Sequence, residues 1–323
     1  MRRHMPAALA LVAALFVSTA ASAADDVIRK GFNVSDGGTL RLDAGFGNIK
    51  IVTGGNGVAV EVQRKWHGRR GEERMREHRI DFEQHGNDVV IDSDQEDRWS
   101  GWFSGDDYEV QWNIRVPAQY NVEVKTSGGE IELANMGGTV DARTSGGGIR
   151  TGRLAAKSTL KTSGGSIRIE GGAANILAHT SGGSIAIGDT TGEVEAKTSG
   201  GSITLARVGG SVYARTSGGG IRVEDALGSV DASTSGGSIN ARLSRQPQGD
   251  STLKTSGGSV TVSLAGGLDL ELDAKASGGG VSSDVPLLVQ GTQHEDSLRG
   301  RIGNGGPKLT LRTSGGGIRV RGL

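Results

Sequence analysis

The tripeptide Ser-Gly-Gly recurs ten times in this chain, each time within a stretch of alternating apolar and polar residues. In consecutive copies the preceding threonine recurs every 18 residues, at Thr126, Thr144, Thr162, Thr180, Thr198, Thr216 and Thr234. Later copies follow at looser intervals, after Thr255, Ala276 and Thr313. A fixed period of this length predicts a repeat protein, in which each unit buries its apolar edge by stacking on the next unit.

Within one unit the apolar positions predict two short strands joined by two corners. Valine or alanine stands four and two residues before the threonine, as in Val194 and Ala196, and alternates with polar residues. A β-branched residue such as Ile203 stands five residues after it and begins the second strand. Gly-Gly forms one corner, where we expect a positive φ to exclude residues with a Cβ. The second corner lies six residues before the threonine and is often glycine, as at Gly192.

Two topologies satisfy this pattern: a parallel solenoid, with one coil per unit, and an antiparallel meander, with one hairpin per unit. In the solenoid, equivalent residues stack about 4.8 Å apart and the threonines can form hydrogen bonds along the axis. The constant period favours the solenoid, because a hairpin array would not require both corners to keep their length. We therefore predict an all-β fold, a parallel, right-handed β-solenoid (β-helix) of 18 residues and two short strands per coil, with an aromatic-rich N-terminal capping insert.

The composition fits a thin stacked core and excludes several classes of site. The chain has 56 Gly and only 4% aromatic residues, which suits a core of isoleucine, valine, leucine and alanine. The formal net charge is zero, so no overall charge attracts nucleic acid or an anionic membrane. The chain contains no cysteine, which excludes disulfides, a lipid-modified cysteine and cysteine-based metal sites.

The sequence predicts four parts. Residues 1–23 have a basic start, a short apolar stretch and a small-residue cleavage site, which predicts a signal peptide and a mature start near Ala24. Residues 24–62 are predicted to form the first degenerate coils and residues 63–121 an aromatic and charged insert that caps the solenoid. The β-solenoid repeats follow over 122–323, with a loop insertion near 284–307. The predicted location is the periplasm or outside the cell, and we expect no transmembrane segment in the mature chain.

The insert holds all the tryptophans and offers a candidate contact surface. Gly71 to His78 is compatible with a helix, and Ile80 to Ile91 predicts a hairpin. Trp99, Trp102 and Phe103 lie in a loop rich in glycine and aspartate, where exposed aromatic rings are typical of a sugar or protein contact. The alternative is that the aromatic residues only cover the end of the solenoid.

One outward column of the predicted solenoid carries cations. The residue directly before the threonine is basic in eight units, at Lys125, Arg143, Lys161, Lys197, Arg215, Lys254, Lys275 and Arg312, and is His179 in another. A second basic set, Arg150, Arg168, Arg222 and Arg319, follows the isoleucine column. A stacked Lys/Arg column can bind a polyanion or polysaccharide. Alternatively the column is an ordinary solvated face, because Glu123, Asp141, Glu195, Asp231 and Asp273 stand two positions earlier on the same strands.

Catalytic and metal-binding patterns are weak. No Asp follows the Gly-Gly corner of the repeats, which excludes the calcium sites of β-rolls. No histidine pair has metal-ligand spacing, and no serine stands in a nucleophile-elbow frame. The sequence therefore predicts no catalytic residues, no metal site and no cofactor.

The repeated units, the strand-rich front part and the signal peptide resemble the bacterial β-strand-repeat family of unknown function, labelled candidate adhesins and related to the head GIN domains. The likeness covers nearly all of the mature chain, including the early copy Leu40 to Ile51, the sequence Val116-Pro117-Ala118 and the late sequence Gly300 to Pro307. The resemblance implies a right-handed parallel β-helix with no assigned reaction or ligand, and the label adhesin is itself drawn from the fold.

From these observations we expect an exported, non-enzymatic structural or adhesin-like β-solenoid that presents a rigid surface to a cell-envelope polysaccharide or a protein partner. The first alternative is polyanion or polysaccharide binding through the cation column, without specific recognition of nucleic acid. The second is an enzyme similar to polysaccharide lyases, which cleave acidic polysaccharides with clustered Asp or Arg on one face.

Overall fold

The computed structural model describes residues 25–94, 108–290 and 294–323. These residues form a 14-stranded sheet, a 15-stranded sheet and one short helix. Within the same ranges, no helix has the length and apolar character needed to cross a membrane.

The N-terminal elements are β1 (Asp25–Phe32), β2 (Thr39–Asp43), β3 (Asn48–Thr53), β4 (Val58–Trp66), α1 (Gly68–Glu77), β5 (Arg79–His85), β6 (Asp88–Asp94) and β7 (Tyr108–Val116). The regular array follows as β8 (Asn121–Thr126), β9 (Ile131–Leu133), β10 (Val140–Thr144), β11 (Ile149–Leu154), β12 (Ser158–Lys161), β13 (Ile167–Gly172), β14 (Ile176–His179), β15 (Ile185–Thr190), β16 (Val194–Lys197), β17 (Ile203–Val208), β18 (Val212–Arg215), β19 (Ile221–Ala226), β20 (Val230–Thr234), β21 (Ile239–Leu243), β22 (Ser251–Thr255) and β23 (Val260–Leu264). The C-terminal elements are β24 (Leu270–Ala276), β25 (Val281–Ser283), β26 (Leu288–Val289), β27 (Ser297–Ile302), β28 (Lys308–Thr313) and β29 (Ile318–Gly322).

Consecutive units stack as parallel coils, which confirms the solenoid and excludes the meander. The strands that lead to the Ser-Gly-Gly corners belong to one sheet, here called the Thr sheet, and the strands that follow those corners belong to the other, here called the Ile sheet. In the Thr sheet Val140 stands beside Val122 and Thr144 beside Thr126. In the Ile sheet Ile149 stands beside Ile131. Each coil therefore contributes one strand to each sheet.

The core is a narrow column of aliphatic side chains between the two sheets. In β10 the residues alternate between buried and outward-facing positions, with Val140 and Ala142 inside and Arg143 exposed. The same alternation places Ile149 and Ile167 of the Ile sheet in the core. Residues with a branched Cβ suit these positions because they pack well on a pleated surface. The predicted thin core of isoleucine, valine, leucine and alanine is confirmed.

The buried threonines link each coil to the one before it. Thr162 donates a hydrogen bond from its hydroxyl to the carbonyl oxygen of Gly147 at 2.7 Å. Thr180 does the same to Gly165, also at 2.7 Å. The corners themselves stack, since the Ser163 amide donates to the Ser145 carbonyl at 3.2 Å. The predicted hydrogen bonding of the threonine column along the axis is therefore confirmed.

The reason for glycine at the corners differs from our expectation. All ten Ser-Gly-Gly corners lie in the described ranges, and none of their glycines has a positive φ. Instead, a Cβ added at Gly165 would lie 2.1 Å from the carbonyl oxygen of Gly147, and one at Gly183 would lie 2.1 Å from that of Gly165. The prediction of a left-handed backbone is wrong here. Glycine is required because stacked corners approach too closely for a side chain.

At the N-terminal end the order of the coils departs from the order of the chain. Strand β2 pairs with β8 on one side and β6 on the other, and β3 pairs with β9 and β7. The coil of β6 and β7 therefore lies outside the earlier coil of β2 and β3. Antiparallel strands β1 and β4 complete the Ile sheet beyond it, and antiparallel β5 completes the Thr sheet. The hairpin predicted over Ile80 to Ile91 is confirmed by β5 and β6.

The C-terminal end shows the same exchange. The last coil, β28 and β29, pairs with β22 and β23 on one side and with β24 and β25 on the other. It is thus inserted between two coils that precede it in the chain. Antiparallel strands β27 and β26 then extend the Thr sheet past β24. The irregular step between Ala276 and Thr313 is the connection that allows this insertion.

Candidate binding faces of the solenoid

The predicted cations form one column on the outer surface of the Thr sheet. Strand register places Arg143 beside Lys125 and Lys161, and Lys197 beside Arg215. The column continues through His179 and Ser233, which occupy equivalent positions on β14 and β20. Toward the C-terminal end the order is Lys254, Arg312 and then Lys275, because the last coil is inserted between the other two.

Most of these cations form ion pairs with carboxylates of the same face. The pairs are Lys125 with Asp43 at 2.8 Å, Arg143 with Asp141 at 2.7 Å, Lys197 with Glu195 at 2.5 Å, Arg215 with Asp231 at 3.5 Å and Arg312 with Asp273 at 2.7 Å. Most of these side chains are partly or fully exposed, so each pair contributes little to stability, but it neutralises charge locally. The paired carboxylates include four of those that the sequence placed two positions before the cation column: Asp141, Glu195, Asp231 and Asp273. Glu123 instead pairs with Arg41 at 3.1 Å.

Three cations of the column are left without an ion pair in the described ranges: Lys161, Lys254 and Lys275. Their outward neighbours on the same strands are Thr159 for Lys161 and Thr252 for Lys254. The column is therefore a mixture of neutralised and free cations without a regular order.

His179 does not add a charge to this column near neutral pH. Burial lowers the pKa of His179, and its hydrogen bond and charge interaction with Glu195 only partly offset that effect. Its Nε2 lies 3.1 Å from the Glu195 carboxylate, which Lys197 also contacts. A half-buried imidazole between two lysine positions is more stable when neutral.

Tyr213 is the aromatic side chain of this face within the array. It stands two positions before Arg215 on β18 and is half-buried. The Lys197 Nζ lies 4.7 Å from the centre of its ring, and the Arg215 guanidinium carbon lies 4.5 Å from it. These cation–π contacts hold the two cations against the sheet. Sequence reasoning did not single out Tyr213, although its outward position follows from the alternation.

The second basic set lies on the outer surface of the Ile sheet, and its members differ in their surroundings. Arg150 pairs with Glu130 at 2.5 Å. Arg168, Arg222 and Arg319 have no ion pair in the described part of the chain. Arg222 lies at the border of an open depression of about 420 Å³.

Sequence reasoning missed two other arginines, Arg242 and Arg321, that line the same depression. Arg321 stands two residues after Arg319 on β29 and therefore points to the same side of the sheet. This spacing was visible in the sequence. The sequence did not show which residues neighbour Arg321 across the sheet, because these neighbours depend on the order in which the last coils stack.

The aromatic candidates Trp99, Trp102 and Phe103 lie outside the described residues. Of the other aromatic residues of the insert, Trp112 is fully buried on β7 and donates a hydrogen bond from its indole nitrogen to the Phe46 carbonyl at 3.2 Å. Phe82 of β5 packs near Phe32 of β1, with ring centres 6.5 Å apart. These residues belong to the core and to the covered end of the solenoid.

A buried polar cluster lies at the C-terminal end of α1, around His78. The two ring nitrogens of His78 each lie 2.6 Å from a hydroxyl oxygen, one of Tyr108 and one of Ser93. Burial and, to a smaller extent, the charge of Arg64 together lower the pKa of His78 to about 4. Burial also raises the pKa of Tyr108 to about 12. The ring is therefore a neutral, fully bonded member of the core, with one nitrogen as donor and the other as acceptor.

Arg64 joins this cluster to the edge of the Ile sheet. Its guanidinium donates hydrogen bonds to the carbonyl oxygens of Met75 and His78 at the end of α1, each at 3.4 Å. It also pairs with the carboxylate of Asp26 on β1. A cation at a helix C-terminus is favourable because the last carbonyl groups have no partner within the helix. In the described ranges no three His, Asp or Glu residues are grouped so that they could hold a metal ion.

The family of the chain follows from comparison of these repeats with known sequences. The family model described as Toastrack DUF4097 matches residues 48–321. The chain belongs to this toastrack family. The toastrack match begins at β3 and includes the coil of β6 and β7 and the inserted last coil of β28 and β29. No curated protein matches the chain.

Solved structures similar to this toastrack protein come from bacteria. A candidate cell adhesion protein from Clostridium sporogenes ATCC 15579 is 13% identical, with 93% of this chain and 100% of that chain covered and a TM-score of 0.26. A candidate adhesin from Bacteroides fragilis NCTC 9343 is 10% identical, with 92% and 97% covered and a TM-score of 0.33. A candidate lipid-binding protein from Parabacteroides distasonis ATCC 8503 is 13% identical, with 94% and 98% covered and a TM-score of 0.33.

Proposed function

We propose that this protein is an exported, non-enzymatic scaffold of adhesin-like type, which presents the outer faces of its solenoid to a cell-envelope component or a protein partner. The observation that carries the proposal is the in-register stacking of the coils. It places equivalent outward side chains in straight columns along two continuous sheets. With neighbouring strands about 4.8 Å apart, a 14-stranded sheet extends roughly 60 Å. A surface of that kind suits a long or repetitive partner better than a small molecule.

The electrostatics of the Thr sheet support a non-catalytic role. A lyase or hydrolase needs a carboxylate or another titratable group that is free to exchange a proton with substrate. Several carboxylates of this sheet are instead held by cations, as Asp141 is by Arg143 and Glu195 is by Lys197. Hydrogen bonding to Lys197 lowers the pKa of Glu195, so that this group is ionised and poorly suited to act as an acid. Export rests on residues 1–23 of the sequence.

Binding to fractionated bacterial cell envelopes tests the proposal. The purified protein is mixed with sedimented envelope fragments, and the fraction that sediments with them is measured. A matched sample carries Gly165→Asp, which places a charged side chain against the stacked Gly147 corner and disrupts the array. We expect saturable retention of the native protein and loss of retention for the variant. Equal partition of both proteins would contradict a scaffold function that depends on the stacked faces.

A parallel assay addresses catalysis. The protein is incubated with acidic polysaccharides, and the ultraviolet absorbance of the unsaturated uronate produced by β-elimination is followed, together with reducing ends released by hydrolysis. We expect neither signal to rise above that of heat-treated protein. Multiple turnovers in either assay would overturn the non-enzymatic assignment.

A further inference from the structure

The depression on the Ile sheet has a polar floor and an arginine border. Three short side chains form the floor: Asn240 on β21, and Thr261 and Ser263 on β23. Register places Thr261 beside Asn240 and Ser263 beside Arg242. The floor therefore offers amide and hydroxyl groups that can both donate and accept hydrogen bonds. All three side chains are only partly exposed, as expected for a concave surface.

Longer basic side chains surround this floor. Arg222 stands beside Asn240 on the strand that precedes it, β19. On the other side, Arg319 stands beside Thr261 and Arg321 beside Ser263. Arg242 stands beside Ser263, and Ser263 stands beside Arg321 on the next strand, so these three residues form a second row across the sheet. With about 4.8 Å between strands, Arg222 and Arg319 bracket roughly 14 Å of sheet.

The insertion of the last coil creates this arrangement. If β25 followed β23 in space as it does in the chain, Ser282 would stand where Arg319 stands beside Thr261. Because β29 occupies that place, Arg319 stands beside Thr261, and Arg321 lines the depression on the side away from Arg222. The site therefore exists only in the folded protein with its coils in the observed order.

The arginines around this depression are not neutralised by ion pairs, whereas most cations of the Thr-sheet column are. In the described part of the chain, Arg222, Arg242, Arg319 and Arg321 have no ion pair, and all four side chains are exposed. Glu224 is the carboxylate that lines the depression. The neighbouring Asp225 accepts hydrogen bonds from Ser244 and from Arg207, the latter at 2.9 Å, and its charge also interacts with that of Arg242. Three arginines line the depression with one carboxylate, and Arg319 stands beside Thr261 of the floor, so a local excess of positive charge remains.

We propose that this depression binds a segment of an anionic glycan, whose carboxylate or sulfate groups pair with the arginines and whose hydroxyl groups bond to Asn240, Thr261 and Ser263. Arginine presents planar, two-pronged donors that match such anions. A single-stranded nucleic acid would need aromatic rings for base stacking, and a membrane surface would need exposed apolar side chains. The residues that line the depression supply neither. The proposal names a ligand class for the scaffold and rests on the proposed binding function.

Calorimetric titration with a heparin hexasaccharide at fixed ionic strength tests the site. The site variant is Arg222→Glu with Arg321→Glu. The first control is Arg153→Glu with Arg168→Glu, which reverses two exposed arginines of the same sheet closer to the N-terminus. The second control is Lys161→Glu with Lys254→Glu on the Thr sheet. All three variants change the formal charge equally, so an effect of overall charge would appear in each of them.

We expect the site variant to bind at least about tenfold more weakly than the native protein, because two charge-assisted contacts are lost. The controls should differ from the native protein by less than about twofold. Equal weakening in all three variants, weakening only in the Thr-sheet variant, or no binding by the native protein would overturn the proposal. Unchanged thermal unfolding of the variants confirms that they are folded.

The envelope sedimentation assay separates this proposal from the proposed function. Retention of the native protein on envelope fragments without hexasaccharide binding would reject the glycan site and keep the scaffold function. Hexasaccharide binding that is lost in the site variant, combined with no retention on envelope fragments, would support the site and reject the envelope partner.

Discussion

The hydroxyl of Thr162 donates to the carbonyl oxygen of Gly147 at 2.7 Å, and the same hydroxyl oxygen accepts a hydrogen bond from the Gly165 amide at 3.3 Å. One buried side chain thus satisfies a carbonyl of the preceding corner and an amide of its own corner. Buried backbone groups without a partner are costly, so this double role explains why the position is threonine rather than valine. The threonine also keeps a β-branched shape that fits the strand.

Replacing Thr162 by valine tests this role. Valine has nearly the same shape but no hydroxyl, so the Gly147 carbonyl and the Gly165 amide lose their partner. We expect the free energy of unfolding to fall by about 1–3 kcal/mol, measured by urea denaturation. Thr162→Ser keeps the hydroxyl and should lose less stability than Thr162→Val. A valine variant as stable as the native protein would contradict the assigned role.

Replacing Gly165 by alanine tests the close approach of the corners. The added Cβ would lie 2.1 Å from the Gly147 carbonyl oxygen, so the two coils must separate locally. We expect a loss of about 3 kcal/mol or more in the free energy of unfolding. Gly249→Ala is the matched control, because a Cβ at that position meets nothing within 4 Å. Similar unfolding midpoints for the two variants would show that the corner tolerates a side chain.

The lowered pKa of the buried His78 predicts that the protein loses stability in mild acid. Its pKa is about 4 in the folded protein and about 6.5 in the unfolded chain, so the unfolded chain binds more protons between these values. The free energy of unfolding should therefore fall by roughly 3 kcal/mol as the pH is lowered from 6.5 to 4. Denaturation at several pH values measures this slope.

Two variants separate His78 from other titrating groups. His78→Asn should be less stable at neutral pH and should lose the part of the slope between pH 6.5 and 4 that His78 contributes. His85→Asn should keep that slope, because His85 is exposed at the β5–β6 turn. An unchanged slope in His78→Asn would mean that another group controls the pH dependence.

The ion pairs of Asp273 indicate how the inserted coil of β28 is fixed to its neighbours. Its carboxylate lies 2.7 Å from Arg312 of β28, 3.3 Å from Arg299 of β27 and 3.7 Å from Lys308 of β28. Burial raises the pKa of Asp273, but the hydrogen bonds and charges of Arg312 and Arg299 outweigh it, so the net pKa is lowered. A carboxylate with a lowered pKa stabilises the fold above its unfolded pKa, and this contribution is lost as the pH falls through the folded pKa.

We expect Asp273→Asn to lower the stability of the C-terminal coils by about 1–2 kcal/mol at neutral pH. Hydrogen exchange should become faster in β24, β27 and β28 and stay unchanged in the middle of the array. Asp231→Asn is the control, because Asp231 has a single ion pair at 3.5 Å and is more exposed. Equal exchange rates in both variants would rule out a special role for Asp273.

Much of the repeat architecture followed from the sequence. The 18-residue period and the alternation of apolar residues predicted the parallel stack, its aliphatic core and the cation column, with Arg143 beside Lys161 as the register requires. These features are local: the side on which a residue points depends only on its place in its own strand. The sequence also identified Arg222 and Arg319 as members of an outward column.

Tertiary structure alone decided the order of the coils at both ends, the partners of the surface charges and the meeting of Arg321 with Ser263. The physical reason is that the units are nearly equivalent. A Thr-Ser-Gly-Gly coil can stack on any other coil with the same corner and the same β-branched positions, so the local pattern does not specify its neighbour. Contacts between residues far apart in the chain, such as Asp273 with Arg312, distinguish the observed order from the order of the sequence.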